Sequence, residues 1–356
     1  MVAETREGSD PLELDESLLQ GFDFACRPDC GLCCFTSPRV NADEEARLRS
    51  AAPDVAIVPQ NGERCVAARP EGGACQFLKD LRCTVHSVRP ALCREFPITV
   101  HIGTRLQATV ILSCPGVSLD PLQGTSSPPH RRSPPAAFEK ELASVRSRIG
   151  ESAVRRHADA VRRRARVVRL LERQGRWEDE ETVRRALQSR SLVPGEDDYI
   201  VFDAPDPEEG LERLPMYFDG RAGPVSLGQG LGGWQGLELA PGGGAHPIGV
   251  AAPPERRPGM ADDARALLDA YLHYFLRRDG FLAAVAFEMT STEAGTLQES
   301  ALADLHAIGS TVLVRSAVRL QLSGHPSNRL QRPDIELGIR ATDQDWLDRA
   351  TWGSRL

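Results

Sequence analysis

Apolar positions in the first third of the chain come in short groups. Asn41, with Glu44 three residues on, has the pattern of a capping box. It predicts a helix that opens through ADEEARLRSAA and stops before Pro53. VAIVP reads as a short strand, and GERCVAARPEGGACQFL as a strand, a turn and a further ordered segment. Pro90 stands where the first helical position of PALCREF would fall, and Pro97 would end that helix. ITVHIGTRLQATVILSC alternates well enough to predict a hairpin that turns near Gly103.

From Phe138 to about Ser191 the period lengthens to that of a helix. Val154, Ala158, Val161, Ala165 and Val168 fall at steps of four and three, which predicts one apolar face. Arg155, Arg156, Arg162, Arg163, Arg164, Arg166 and Arg169 occupy the remainder. Such a run reads first as a solvated helix face, because no aromatic residues interleave to stack on bases. Residues 192–260 are rich in loops and short strands, and Asp219-Gly220 is a hairpin-turn signal. ADDARALLDAYLHYFLRR predicts an amphipathic helix from about Asp262. At least one long helix is expected within LQESALADLHAIGSTVLVRSAVRLQL, and a last short one through DQDWLDRAT.

These elements predict an α+β chain of two domains. Residues 1–119 form a small cysteine-rich metal-binding domain, and 120–137 a Pro/Ser-rich linker. Residues 138–356 form a mostly helical domain with a loop- and hairpin-rich insertion. A length of 356 residues with 41% hydrophobic content suits two cores. No apolar run reaches the ~18 residues of a spanning helix, so no membrane association is expected. The opening MVAETREGSDPLELDESLLQ is acidic and has no signal-peptide core, so a cytoplasmic location is expected. The net charge of −7 argues against bulk nucleic-acid binding. Lysine occurs only at Lys79 and Lys140, which reads as coding bias and implies no function.

All nine cysteines lie in the first third: Cys26, Cys30, Cys33, Cys34, Cys65, Cys75, Cys83, Cys93 and Cys114. An odd count in a reducing compartment favours metal ligation over disulfides. Other motifs carry less. Gly228, Gly230 and Gly233 satisfy G-x-G-x-x-G, but they lead into a non-helical segment, so a loop or hairpin is expected rather than a nucleotide site. There is no G-x-S-x-G, H-E-x-x-H or Walker loop, and no catalytic residue is identified. His86, three residues after Cys83, is expected to pack rather than ligate. Cys26-x3-Cys30-x2-Cys33 has the spacing of a radical SAM loop. However, Leu32 replaces the usual aromatic, Cys34 adds a thiolate, and no βαβ alternation is present downstream.

CRPDCGLCC, then CQFLKDLRCTVHSVRPALCREFP, then CPG resemble the YkgJ-type cysteine-cluster family of zinc- or iron-chelating proteins over residues 22–118. The resemblance implies Cys26, Cys30, Cys33, Cys34, Cys75, Cys83, Cys93 and Cys114 as metal ligands. It also singles out Arg89, Pro90, Arg94 and Pro97. His86 stands where that family more often has Tyr, and Cys65 falls outside the pattern. Arg89 and Arg94 would sit near the bound group, offsetting thiolate charge or donating to sulfur. An ordinary ion pair or carbonyl bond is the alternative for both. Thiolates suit zinc or an iron–sulfur cluster. The chain lacks the repeated C-x2-C knuckles of zinc ribbons, and four close cysteines plus distant single ones are nearer to cluster ligation, [4Fe–4S] above all. LLDAYLHYFLRRDGFLAAV faintly resembles helical sequence of the flagellin lysine N-methylase family. Three classes of function are thus open. One is an iron–sulfur protein with a redox, sensing or modification role whose helical domain meets a protein partner. Another is a cluster-dependent, SAM-using protein lysine methyltransferase. The third is a structural zinc-binding interaction protein.

Overall fold

The computed structural model of the chain describes residues 13–26, 32–35, 37–60, 62–69, 74–80, 82–124, 138–200, 212–214, 217–218, 221–222, 225–230, 233–239, 245–292, 295–324, 327, 329–349 and 354–355. The elements run in the expected order. β1 (Leu14–Asp15) precedes a 3-10 turn, Ser17–Leu19, that buries Leu18 and Leu19. α1 (Ala42–Ala51) carries the expected capping box: Asn41 accepts from the Glu44 amide, and the Glu44 carboxylate accepts from the Asn41 amide. Two small hairpins come next, β2 (Ile57–Gln60) with β3 (Glu63–Val66), and β4 (Leu78–Lys79) with β5 (Arg82–Cys83). α2 (Ala91–Glu95) is capped by Pro90, one position earlier than expected, and ends before Pro97. β6 (Ile98–Ile102) and β7 (Leu106–Val110) form the predicted antiparallel hairpin around Gly103.

Three helices succeed them: α3 (Glu139–Arg148), α4 (Glu151–Arg173) and α5 (Glu180–Gln188). The insertion holds β8 (Glu212–Leu214), β9 (Tyr217–Phe218), β10 (Arg221–Ala222), β11 (Val225–Gly230), β12 (Gly233–Leu239) and β13 (Ala245–Ala251). β9 pairs β10 with Phe218 opposite Arg221, although Asp219 and Gly220 themselves lie outside the described residues. β11 and β12 pair with Gly230 opposite Gly233, so the G-x-G-x-x-G glycines belong to a hairpin. After β14 (Gly259–Met260) come α6 (Asp262–Leu276), α7 (Asp279–Glu288) and α8 (Leu297–Leu322). β15 (Arg329–Leu330), α9 (Arg332–Arg349) and β16 (Ser354–Arg355) close the chain. The mixed content, with small sheets toward the N-terminus and helices mostly toward the C-terminus, makes the fold α+β. Of the expected linker, Asp120–Gly124 forms a 3-10 turn and residues 125–137 lie outside the described set.

The sheet β1-β7-β6-β16 is where the N-terminal third meets the helices. Every residue of β7 is buried, and Leu106, Ala108 and Val110 join one apolar cluster that runs from Leu18 to Ile339. Within it α6 contributes Leu267, Leu268, Tyr271, Leu272 and Phe275, each fully or almost fully buried and each worth about 1.5–3 kcal/mol of transfer free energy. α8 is long and apolar enough to cross a membrane by length and composition, but 67% of its apolar window is buried inside the fold. It is the central core helix. Gly338 lets α9 approach it closely, since a Cβ there would lie 2.6 Å from the Val312 carbonyl oxygen. α9 is much longer than the short helix expected from DQDWLDRAT, because RPDIELGIRAT continues the same buried face through Ile335 and Ile339.

Inside this cluster Arg278 and Asp343 are both fully buried and form an ion pair, with Arg278 Nη2 2.7 Å from Asp343 Oδ1. The guanidinium also lies over the Phe275 and Tyr274 rings, 4.6 and 5.1 Å from their centroids. Asp343 Oδ2 accepts the Leu112 amide at 2.8 Å, so the pair reaches across to the end of the β6–β7 hairpin.

One expected face is corrected. α4 turns Ala153, His157, Ala160, Arg164, Val167 and Leu171 inward, not the predicted Val154–Val168 series. Val154 and Val161 are 40% and 41% exposed, whereas Ala153 and Leu171 are buried. Both stripes repeat at steps of four and three, so periodicity alone could not rank them. His157 decides the matter in part, because its Nδ1 lies 2.9 Å from the Gly103 carbonyl oxygen in the β6–β7 turn.

Candidate metal centre

A second, smaller core lies beneath the cysteines. It comprises Val40, Leu48, Val55, Val66, Cys75, Phe77 and Val85, with Cys34, Cys83 and Val88 packed against it. This core is too small to stand on burial alone, so polar contacts fix the segments around it. Cys33 and Cys34 sit on a 3-10 turn, Leu32–Phe35. The Cys75 amide donates to the Cys34 carbonyl at 2.6 Å, which joins that turn to the segment leading into β4. Cys83 is in β5 opposite Leu78, behind a turn in which Asp80 takes a positive φ of 48°. Arg69 donates to the Leu78 and Gln76 carbonyls at 2.6 and 3.2 Å and so anchors this hairpin.

Cys93 is carried by α2, which is held at both ends. At its start the Ala91 amide donates to Glu44 Oε1 at 2.7 Å, so the buried Glu44 caps two helices at once. At its end buried Glu95 pairs with Arg148 of α3 and accepts from Ser144 Oγ at 3.1 Å. These contacts fix the direction in which Cys93 points from its helix.

The thiols converge electrostatically on Cys33. Burial is the main cause that raises Cys26, Cys75, Cys83 and Cys93, and the charge of Cys33 adds to it at each of them and at Cys34. Cys33 itself is lowered to about 7, chiefly by a hydrogen bond from the Cys34 thiol; Arg89 helps and burial opposes. Cys34 is raised by that same bond and by burial. Burial also pushes Cys93 far up. Arg89 lies among these groups and lowers Cys26, Cys33, Cys83 and Cys93. Arg94 occupies a different place: its Nη1 donates to the Arg89 carbonyl at 2.7 Å, so it holds the backbone of the residue that faces the sulfurs. His86 is exposed, with Nε2 2.8 Å from Arg89 Nη1, and Arg89 lowers its pKa.

Cys26, Cys34, Cys75, Cys83, Cys93 and Arg89 thus lie within electrostatic reach of Cys33. Cys30 lies outside the described residues. Cys114 is buried at the edge of the main core, and backbone pairing relates it to Cys26: the Ala25 amide donates to the Gly116 carbonyl at 2.9 Å, and Phe24 bridges Val117. Cys65 is buried in β3, and burial and Glu63, not another thiol, raise its pKa. Contacts that short-range spacing gave no sign of come from far along the chain. Arg340 of α9 donates to the Leu112, Cys114 and Val117 carbonyls, clamping the turn that carries Cys114. Glu44 had a sequence signal, as half of the capping box, whereas Glu95, Arg148 and Arg340 have partners tens to hundreds of residues away.

Among the described residues, no three His, Cys, Asp or Glu side chains are gathered so closely as to hold one ion in common. The chemistry of the donor set nonetheless fits a soft metal. Two thiolates about 5 Å apart repel by about 3 kcal/mol at an effective dielectric near 20. Five of the six are accordingly raised and must lose a proton to ligate, which a soft metal drives by stabilising the thiolate. No curated protein and no solved structure matches the chain. The comparisons give no support to the resemblance of α6 and α7 to the lysine N-methylases. Residues 25–114, however, match the model of the CxxCxxCC family, described as "Putative zinc- or iron-chelating domain", and that match spans the cysteine cluster.

Proposed function

We propose that this domain holds an iron–sulfur cluster, of the [4Fe–4S] type, and that the protein serves a redox, sensing or modification role through it. The observation that carries this reading is the number of thiols sharing one locality. Cys26, Cys34, Cys75, Cys83 and Cys93 all feel the charge of Cys33, and Cys30 is tied to them by its place in CRPDCGLCC. A single zinc and a single [4Fe–4S] cluster each take four ligands, so either leaves thiols over; a tight group of four cysteines with distant single ones, without repeated C-x2-C knuckles, is what favours the cluster. The locality is also edge-on to solvent, with Cys26 exposed and Cys33, Cys34, Cys83 and Cys93 half-buried, as electron or group exchange requires. Arg89 and Arg94 support the same reading. The first supplies positive charge beside the sulfurs, the second positions it, and hydrogen bonds and charge near sulfur tune a cluster potential.

When bound, the cluster would supply one-electron chemistry or a Lewis-acidic iron. The chain would bind it through four thiolates drawn from Cys26, Cys33, Cys34, Cys75, Cys83, Cys93 and, by the family pattern, Cys30 and Cys114. Anaerobic isolation with metal and sulfide analysis tests this. The expected product is brown, with iron and acid-labile sulfide in about equal amounts, near four each per chain. A colourless protein with stoichiometric zinc, even when iron and sulfide are supplied, contradicts it and leaves the chain a structural zinc protein.

A further inference from the structure

A second apolar stripe of α4, to the side of the inward one, has the spacing of a helix seam. Val154, Ala158, Val161, Ala165 and Val168 alternate at four and three residues, the a/d pattern of helix-on-helix packing. At 100° per residue this seam lies about 100° around the helix from the inward stripe, so it is not a fringe of the core face. Arg155, Arg162 and Arg169 each come one residue after a valine of the seam and form a continuous flank, all three exposed. At its C-terminal end Val168 also lines a small, partly open cavity walled by Trp177, Val167 and Ala283. Arg164 lies over the Trp177 ring at 6.0 Å and pairs with Glu180 at 3.0 Å at the cavity rim.

We propose that α4 is the docking surface for an acidic amphipathic helix of another protein. The partner's apolar residues lie along Val154–Val168, one bulky apolar side chain enters the Trp177 cavity, and its carboxylates meet the arginine flank. Charge selects this occupant. α4 carries eight arginines against three carboxylates in a chain of net charge −7, so it is a basic stripe on an acidic protein. A second copy does not fit. Parallel pairing would set the Arg155–Arg162–Arg169 flank against His157 and Arg164, and antiparallel pairing would set it against itself. Nucleic acid leaves the apolar seam unused, because phosphates offer it nothing and no aromatics interleave along it.

The test uses the full chain and two synthetic three-heptad helical peptides with leucine at the seam positions. One is flanked by glutamate and the other by lysine. Fluorescence anisotropy should show the glutamate peptide binding and the lysine peptide binding at least about tenfold more weakly. Val161→Glu, at an exposed position, should weaken the glutamate peptide at least about tenfold, while Val161→Leu retains it. Circular dichroism on both variants confirms that the fold is kept. The proposal is overturned if neither peptide binds up to about 0.1 mM, or if Val161→Glu leaves binding unchanged. It is equally overturned if the chain itself dimerises through this seam, or if phosphatidylserine vesicles bind the wild type and the glutamate peptide does not.

Discussion

Asp343→Asn is the substitution most informative about how the two parts of the chain are joined. The Asp343 carboxylate accepts from Arg278 Nη2 at 2.7 Å, from the Leu112 amide at 2.8 Å and from the Tyr271 hydroxyl at 3.3 Å, and neither charged partner is exposed to solvent. The amide keeps the shape but loses the charge, and it presents an NH2 toward groups that are themselves donors. Breaking one side of a buried pair typically costs about 3–5 kcal/mol, because the remaining charge is stranded. The amide's remaining oxygen still accepts one of these hydrogen bonds, which recovers about 1 kcal/mol. A net loss of about 2–4 kcal/mol is expected, a large share of the ~5–15 kcal/mol that holds a typical domain. Urea unfolding monitored by circular dichroism measures it. The double variant Arg278→Met with Asp343→Leu removes both charges, so it should lose less than Asp343→Asn alone. An Asp343→Asn loss below about 1 kcal/mol, or a double variant worse than the single one, refutes the reasoning. Because Arg340 and Asp343 of α9 both hold the 112–117 turn, the single variant should also speed hydrogen exchange around Cys114.

Three further outcomes are expected. Cys93→Ser and Cys30→Ser should lower bound metal after identical reconstitution, whereas Cys65→Ser should not; equal loss from Cys65→Ser would show the ligand set to be wrong. Arg89→Met should shift the midpoint of any redox titration to lower potential and weaken metal retention more than Arg94→Met does, since only Arg89 acts on the thiols directly; equal effects would sink that distinction. Asp269 is half-buried, and burial alone would raise its pKa, but bonds from His273, the Leu192 amide and Ser191 hold it below the usual carboxylate value. Its contribution is therefore present above the unfolded value near 4 and is lost as pH falls through the lower folded value. Asp269→Asn should flatten the fall of stability below about pH 4, and an unchanged acid slope would contradict this.

Much of this was legible because it rests on local rules. The Asn41–Glu44 box, the hairpin about Gly103 and the start of α6 each depend on residues a few positions apart, and each stands where the pattern put it. The cysteine-cluster domain was legible from the order of its thiols and the RPALCREFP block, and the family match covers residues 25–114. What the sequence concealed was long-range. Two stripes of α4 repeat with the same period, and the choice between them depended on what His157 and Leu171 meet elsewhere in the fold. Pairings such as Glu44 with Ala91, Glu95 with Arg148 and Arg340 with Cys114 join segments that no local period relates. They also show how the helices bear on the cysteines: α3 holds the end of α2, and Glu141 in α3 is close enough to raise Cys26.

The thiols about Cys33 are proposed to hold one sulfur-ligated metal centre. X-ray absorption at the edge of the metal that copurifies with the full chain tests it most directly. The account predicts a first shell made of sulfur at about 2.3 Å, with a metal–metal shell behind it if the centre is an iron–sulfur cluster, and loss of both in Cys93→Ser. A first shell of nitrogen and oxygen, or a chain that retains no metal under anaerobic conditions, would contradict it.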